Sequence, residues 1–307
     1  MASHAGNGGS ASGGSGSKRP LPPAKPRELE DLLNRRLFHP VSRRLALLLS
    51  STPVTPNMVS VTGAMLVIAA GALYSFAGGA AWVVPLAFCL HLLWHVVDGA
   101  DGDLARLTGR ASPVGEMVDG MCDYLSHALI YLFLAIHLSE WIGWWAYALG
   151  WAAGLSRVAQ SSHSESQRRI YLWRAYGVPW IKQGRAAGDA LFQHETLLSR
   201  LSGAYVWLAD RLSPASPALD RAAEDAARDP ETRARFTRLS RRTFRTPLHL
   251  QAYLGSNPRT LLLALSMALG SPLWFFLTEV TLMNLLLFAS IRRQHAANRA
   301  LEARLAG

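Results

Sequence analysis

An all-α, polytopic membrane protein is the architecture this 307-residue sequence predicts: a six-transmembrane-helix bundle with an N-terminal amphipathic helix and a cytoplasmic helical insertion. Three observations carry that reading. Hydrophobic residues make up 50% of the chain and charged ones 17%, a balance that excludes disordered and coiled-coil proteins and argues against an ordinary soluble domain. The apolar residues are concentrated: none from Met58 to Leu90 is charged, more than the roughly 20 residues that one bilayer crossing needs. Basic residues, 31 against 21 acidic for a net charge of +10, cluster in alternate connections between the apolar runs.

The elements follow in chain order. Residues 1–27 read as a disordered tail, since Met1 to Ser17 are Gly/Ser-rich and lack the apolar core of a signal peptide. Residues 28–56 hold an amphipathic, interfacial helix: Leu29, Leu32, Leu33 and Leu37 recur at helical spacing with arginines between them, suited to anionic lipid or to the protein's own surface. Residues 57–160 supply four membrane helices. Ala77 to Ala80 divides the first run, and Val114 to Leu138 and Trp141 to Ser156 follow, parted by Ser139-Glu140. Residues 161–257, polar and rich in arginine with breaks at Pro179, Pro214, Pro217 and Pro230, form the insertion. Residues 258–293 give two more crossings, because Thr260 to Ile291 as one helix would measure about 48 Å against a hydrocarbon core of roughly 30 Å. Gly270-Ser271-Pro272 is the turn between them. Residues 294–307 are read as a cytoplasmic C-terminal tail.

Charge placement sets the orientation. Arg35, Arg36, Arg43 and Arg44, then Arg106 and Arg110, then the insertion and Arg259, then Arg292 and Arg293 fall on one side. The connections on the other side carry no basic residue, so both termini face the cytoplasm, across the inner membrane in a bacterium. Cys89 and Cys122 both lie in apolar runs and cannot build a disulfide framework. Nothing in the chain points to nucleic acid.

The chemistry is concentrated in Asp98-Gly99-Ala100-Asp101-Gly102-Asp103-Leu104-Ala105-Arg106 and, eight residues on, Gly115-Glu116-Met117-Val118-Asp119-Gly120-Met121-Cys122-Asp123. At about 100° per residue, Asp101, Gly102, Ala105 and Arg106 fall within about 80° of Asp98, while Asp103 falls about 140° away. Gly115, Asp119 and Asp123, spaced by four, share a face of the next helix. Two carboxylate pairs therefore confront each other across a tight turn. Each carboxylate at the edge of hydrocarbon costs several kcal/mol unless paired, and Arg106 balances only one. Divalent cations would balance the rest, and all-oxygen ligands suit Mg²⁺ or Mn²⁺. Gly102, Ala105 and Gly115 leave room for a ligand on the same faces; close helix packing is the alternative reading of such small residues.

The pattern Asp98-x-x-Asp101-Gly102-x-x-Ala105-Arg106-(x8)-Gly115-x-x-x-Asp119-x-x-x-Asp123 resembles the full signature of the CDP-alcohol phosphotransferase (CDP-alcohol phosphatidyltransferase) family, and Thr55-Pro56-Asn57 resembles its lead-in segment. The resemblance covers Thr55 to about Arg157. It implies a membrane transferase of phospholipid biosynthesis. Asp98, Asp101, Asp119 and Asp123 would hold one or two Mg²⁺ or Mn²⁺ ions, and Gly102, Ala105, Arg106 and Gly115 would bind the cytidine nucleotide and its phosphates. Asp123 would be the general base toward an acceptor hydroxyl, with CMP released and a homodimer expected. Arg157, His91 and His95 are candidates for acceptor binding, although buried histidines more commonly serve helix packing, and an arginine at a helix end commonly snorkels.

Modest size favours CDP-diacylglycerol as donor, whereas Ser112-Pro113-Val114-Gly115-Glu116 with Cys122-Asp123 resembles the branch that transfers CDP-aminoalcohols to a lipid. Three rivals remain. A prenyltransferase needs a second Asp-rich motif, and Asp220, Asp225 and Asp229 sit beside no apolar segment. A cation transporter using the aspartates as an ion path would have no use for Ala105 and Arg106. A non-catalytic scaffold would not need all four aspartates.

Overall fold

The computed structural model describes residues 32–76, 80–177, 207, 211–212 and 216–306. The 1–27 tail, the Ala77–Gly79 break and much of the 161–257 insertion lie outside the described residues. A π-helical turn, Asn34–Phe38, leads into α1 (His39–Leu49). Then come α2 (Pro56–Phe76), α3 (Val83–Thr108), α4 (Pro113–Ile142) and α5 (Trp145–Tyr176). After the insertion follow α6 (Pro217–Ala226), α7 (Pro230–Tyr253), α8 (Ser256–Ala268), α9 (Leu273–Val280) and α10 (Leu282–Ala306). No strand occurs among the described residues, and the chain is an all-α polytopic membrane protein.

Local chemistry sets the boundaries. Gly109, at φ 69°, ends α3 in the left-handed conformation that glycine tolerates. Ser112 caps α4 by accepting the Gly115 N–H at 3.0 Å, and Pro113 occupies the first turn, where its missing N–H costs nothing. Asp229 caps α7 in the same way, with Pro230 and Glu231 behind it. Gly270, at φ 87°, makes the expected turn between α8 and α9.

Four stretches are long and apolar enough to cross a bilayer: Pro56–Phe76, Val83–Thr108, Val114–Ile142 and Leu273–Ala306. The other two expected crossings fall in α5 and α8. The second half of α5 is polar, and α8, with 13 residues, would span only about 20 Å. Exposed tryptophans, Trp82, Trp141, Trp144, Trp145 and Trp274, gather at the ends of α3, α4, α5 and α9 remote from the aspartates.

The membrane core joins α2, α3 and α4 to α5, α8 and α9 around Val67, Ala70, Trp94, Ile130, Leu134 and Phe276. Close approach of α2 and α4 requires Gly71: a Cβ there would meet Ile130 Cγ1 at 2.7 Å and its Cα at 3.2 Å. A second core, with Tyr171, Leu219, Phe244, Leu248, Ala297 and Leu301, binds the far half of α5 to α6, α7 and the end of α10. Arg174, 2% exposed, ties it together through Asp220 at 2.5 Å and Asn298 at 3.3 Å.

Several expectations change here. The boundary placed at residue 161 is not a break, because α5 continues to Gly177. Residues 294–306 are helical too, with Gln294, Ala297, Asn298 and Leu301 buried against that second core. His163 and Glu165 therefore lie on α5. His163 bonds the Leu212 carbonyl at 2.9 Å and Ser290 Oγ at 3.0 Å. Arg259, counted by charge among the arginines of the cytoplasmic side, is buried and paired with Glu279 at 2.9 Å. Gln160 completes that network, accepting from Arg259 at 2.6 Å and donating to Asn284 at 2.9 Å.

Candidate functional site

The aspartates lie on facing stretches of α3 and α4, which the Gly109–Ser112 turn joins. Asp101 is the most enclosed, 4% exposed; Asp98, Asp119 and Asp123 are half-buried. The Asp101 carboxylate accepts from Ser60 Oγ at 2.6 Å and from the Gly102 N–H at 2.5 Å, so α2 and the α3 backbone both fix it. Across the turn, the Asp119 carboxyl comes within hydrogen-bonding reach of Asp101 and feels the charge of Asp98. Asp123, one helical turn further along α4, lies within reach of Trp94 and in the field of Arg157. Two of the four carboxyls are thus in contact and two flank them. Among the described residues no group of three or more His, Cys, Asp or Glu stands in a ready-made metal geometry.

Gly102 and Arg106 share a face as their spacing predicts: a Cβ on Gly102 would touch the Arg106 guanidinium at 3.4 Å. Arg106 is exposed and donates to Asp103 at 2.6 Å. Asp103, which the helix arithmetic set apart from Asp98, is thus the partner of Arg106. Ala105 is half-buried on the same helix. Gly115 sits against Ser112, and a Cβ there would come 3.9 Å from Asn57 Oδ1.

His91 and His95 are buried with Trp94 and His127 in a stacked cluster. Trp94 lies 4.4 Å from His95 and 4.7 Å from His127 between ring centroids. His95 is engaged, with Thr260 Oγ1 at 3.0 Å and Phe38 stacked at 5.0 Å. His127 bonds the Asp123 carbonyl at 2.8 Å. Both ring nitrogens of His91 and the Tyr131 hydroxyl are buried without a hydrogen-bond partner. They border a cavity of ≈ 10 Å³, room for about one water, together with His127, Arg157, Arg259 and Thr260. Ser60, Trp94, His127, Tyr131 and Thr260 escape sequence reasoning. Only Ser60 carried a signal, standing one turn beyond Asn57.

On the open side of the site, Glu165 binds Arg168 at 2.7 and 2.6 Å and Arg169 at 2.6 Å, and Arg169 reaches Glu116 at 4.0 Å. Burial would raise the Glu165 carboxyl, but Arg168 and Arg169 outweigh it and hold it at about 2.

Fold and site together define a polytopic helical membrane protein with an acidic cluster shared by two adjacent helices. Residues 53–171, which contain α2, α3, α4 and most of α5, match the family model described as CDP-alcohol phosphatidyltransferase. The chain is also similar to the bifunctional IPC transferase and DIPP synthase of Thermococcus kodakarensis, at 34% identity over 145 residues. That match covers 47% of this chain and 30% of the relative.

Proposed function

We propose that the protein transfers a phosphatidyl or substituted phosphate group from a CDP-activated donor to an alcohol hydroxyl and releases CMP. The observation that carries this is the meeting of Asp101 and Asp119 across α3 and α4, beside a helix face on which Gly102 lies bare under Arg106. The family model that residues 53–171 match, and a relative whose name is that of a transferase, favour the same reading.

The repulsion of two carboxyls in contact, with Arg106 held by Asp103, is relieved by a shared proton or by a cation, and their oxygens suit a hard divalent one. Asp98, Asp101, Asp119 and Asp123 would hold one or two Mg²⁺ or Mn²⁺ ions, which when bound neutralise pyrophosphate oxygens. Gly102, Ala105 and Gly115 would admit the cytidine nucleotide, and Arg106 would grip its phosphates. Asp123 would take the proton of the acceptor hydroxyl as that oxygen attacks the β-phosphorus. The bond from that phosphorus to the oxygen bridging to CMP then breaks, and CMP leaves. Arg157, His91 and His95 would face the acceptor; of these, His95 is already committed to Thr260 and Phe38, so Arg157 and His91 have more freedom to bind.

The donor is taken as CDP-diacylglycerol, and six crossings with termini and site on the cytoplasmic side are proposed. The arginines support that orientation, and the exposed tryptophans at the helix ends remote from the site fit a bilayer interface there. A homodimer is proposed on the resemblance, to be read from the mass of the detergent-solubilised particle.

The test is to incubate purified protein with radiolabelled CDP-diacylglycerol and a panel of polar alcohols and alcohol phosphates, then with CDP-aminoalcohols and diacylglycerol. Release of CMP that needs Mg²⁺ or Mn²⁺ is expected, and Asp123→Asn should abolish it while leaving CMP binding measurable. No release from either donor class, with cation binding indifferent to nucleotide, would instead favour a cation transporter.

A further inference from the structure

The contacts between the N-terminal segment and α3 fall where the aspartates are. Ser42, 1% exposed, donates to the Val96 carbonyl at 2.7 Å, and a Cβ on Gly99 would meet its Oγ at 2.7 Å. Phe38 stacks on His95. Ala46, fully buried, packs with Val97, Ala100 and Leu104. Residues 38, 42 and 46 are one face of α1 and its preceding turn, and that face is seated on residues 95–104, the stretch of α3 that carries Asp98 and Asp101.

The opposite face is built for another neighbour. Leu37, Val41 and Leu48 are 51, 40 and 71% exposed, and Arg35, Arg36 and Arg44 are exposed beside them. No acidic residue occurs between positions 32 and 97. Six residues separate α1 from α2, which is apolar enough to cross the bilayer, so α1 is tethered at the membrane face. An apolar stripe flanked by exposed arginines, held at that depth, complements an anionic lipid surface.

We propose that the outer face of α1 docks on anionic headgroups of the protein's own bilayer, and that Phe38 and Ser42 pass this docking to α3 as positioning residues for Asp98 and Asp101. Its consequence for turnover rests on the reading of those aspartates given above; the docking and its transmission do not.

The experiment uses the full chain in vesicles of phosphatidylcholine alone or with one-third phosphatidylglycerol, following amide hydrogen exchange in residues 39–49 and 96–104 and CMP release in parallel. Each arginine near the surface contributes a factor of roughly five, so three slow local opening on the order of a hundredfold on the anionic vesicles. Both segments should slow together. The combined Arg35→Gln, Arg36→Gln, Arg44→Gln variant, whose changes touch no buried contact, should lose the difference between vesicles. Ser42→Ala should keep the slowing in 39–49 and lose most of it in 96–104. Equal exchange on both vesicles in the wild type, or slowing confined to 39–49, overturns the proposal, and so does a lipid response that survives in the triple variant, which would point to a protein partner for that face. Lipid-dependent exchange with no CMP released from any donor leaves the proposal standing and faults the transferase reading.

Discussion

Asp101→Asn separates the structural from the chemical role of the acidic pair. The substitution keeps the shape of the side chain and an acceptor for the Gly102 N–H, while the Ser60 hydroxyl can rotate to accept in place of donating. What it removes is one of two like charges in contact. Unit charges 4 Å apart interact by about 4 kcal/mol at an effective dielectric constant of 20, a ceiling because any shared proton or cation relieves it. A gain of about 1–2 kcal/mol in the cation-free protein is the expected size, or roughly 2–3 °C in Tm for a chain of 307 residues. Wild-type protein should gain about 2.7 kcal/mol from Mg²⁺ or Mn²⁺ at a hundred times Kd, and the variant much less. The assay is thermal unfolding of detergent-solubilised protein, with chelator or with each cation, alongside CMP release. The expected variant is more stable in chelator, poorly responsive to cations and inactive. A lower transition in chelator would show that the bonds from Ser60 and Gly102 outweigh the charge pressure. A wild-type transition indifferent to both cations would remove the metal reading.

Asp103→Asn should leave stability within about 1 kcal/mol, since its pair with Arg106 is largely exposed. By freeing Arg106 it should raise KM for the CDP donor about two- to fivefold with kcat retained, and an unchanged KM would detach Arg106 from the donor. Gly71→Ala should destabilise by about 1–3 kcal/mol through overpacking on Ile130, and Ile130→Ala should relieve part of that in the double variant; additive losses in thermal unfolding would contradict the close approach. The Glu165 carboxyl, held at about 2 against an ordinary 4.5, adds stability that is complete above pH 4.5 and lost as pH falls toward 2. The difference in Tm between wild type and Glu165→Gln should therefore shrink across that window, and a constant difference would mean that the Arg168 and Arg169 pairs do not survive in solution. Being one-third exposed, the cluster contributes little, about 1 kcal/mol or less.

The face shared by Gly102 and Arg106 was legible in the sequence because a helix fixes the direction of each Cβ. The same arithmetic sets Asp103 about 140° from Asp98 yet only about 60° from Arg106, the i,i+3 spacing at which the two side chains pair. Polarity located the 161 and 294 boundaries, yet polarity marks where a chain leaves hydrocarbon and not where a helix stops. α5 ends only at Gly177, and α10 runs on because the second core buries its far side. Charge sign alone gave Arg259 a side of the membrane and no partner. Its partner Glu279 lies 20 residues on, across the α8–α9 turn, and only the folded chain brings the two together. The stacked cluster around Trp94 was invisible for a similar reason, since its members come from α3, α4 and the N-terminal turn.

The distribution of indole rings has a practical side. Trp82, Trp141, Trp144, Trp145, Trp151 and Trp274 all open outward, whereas Trp94 is 3% exposed and wedged between two imidazoles next to Asp123. Reconstitution in lipids brominated along their acyl chains would darken the outward rings and spare Trp94. The emission that survives would then include a native optical probe beside Asp123, with no label attached.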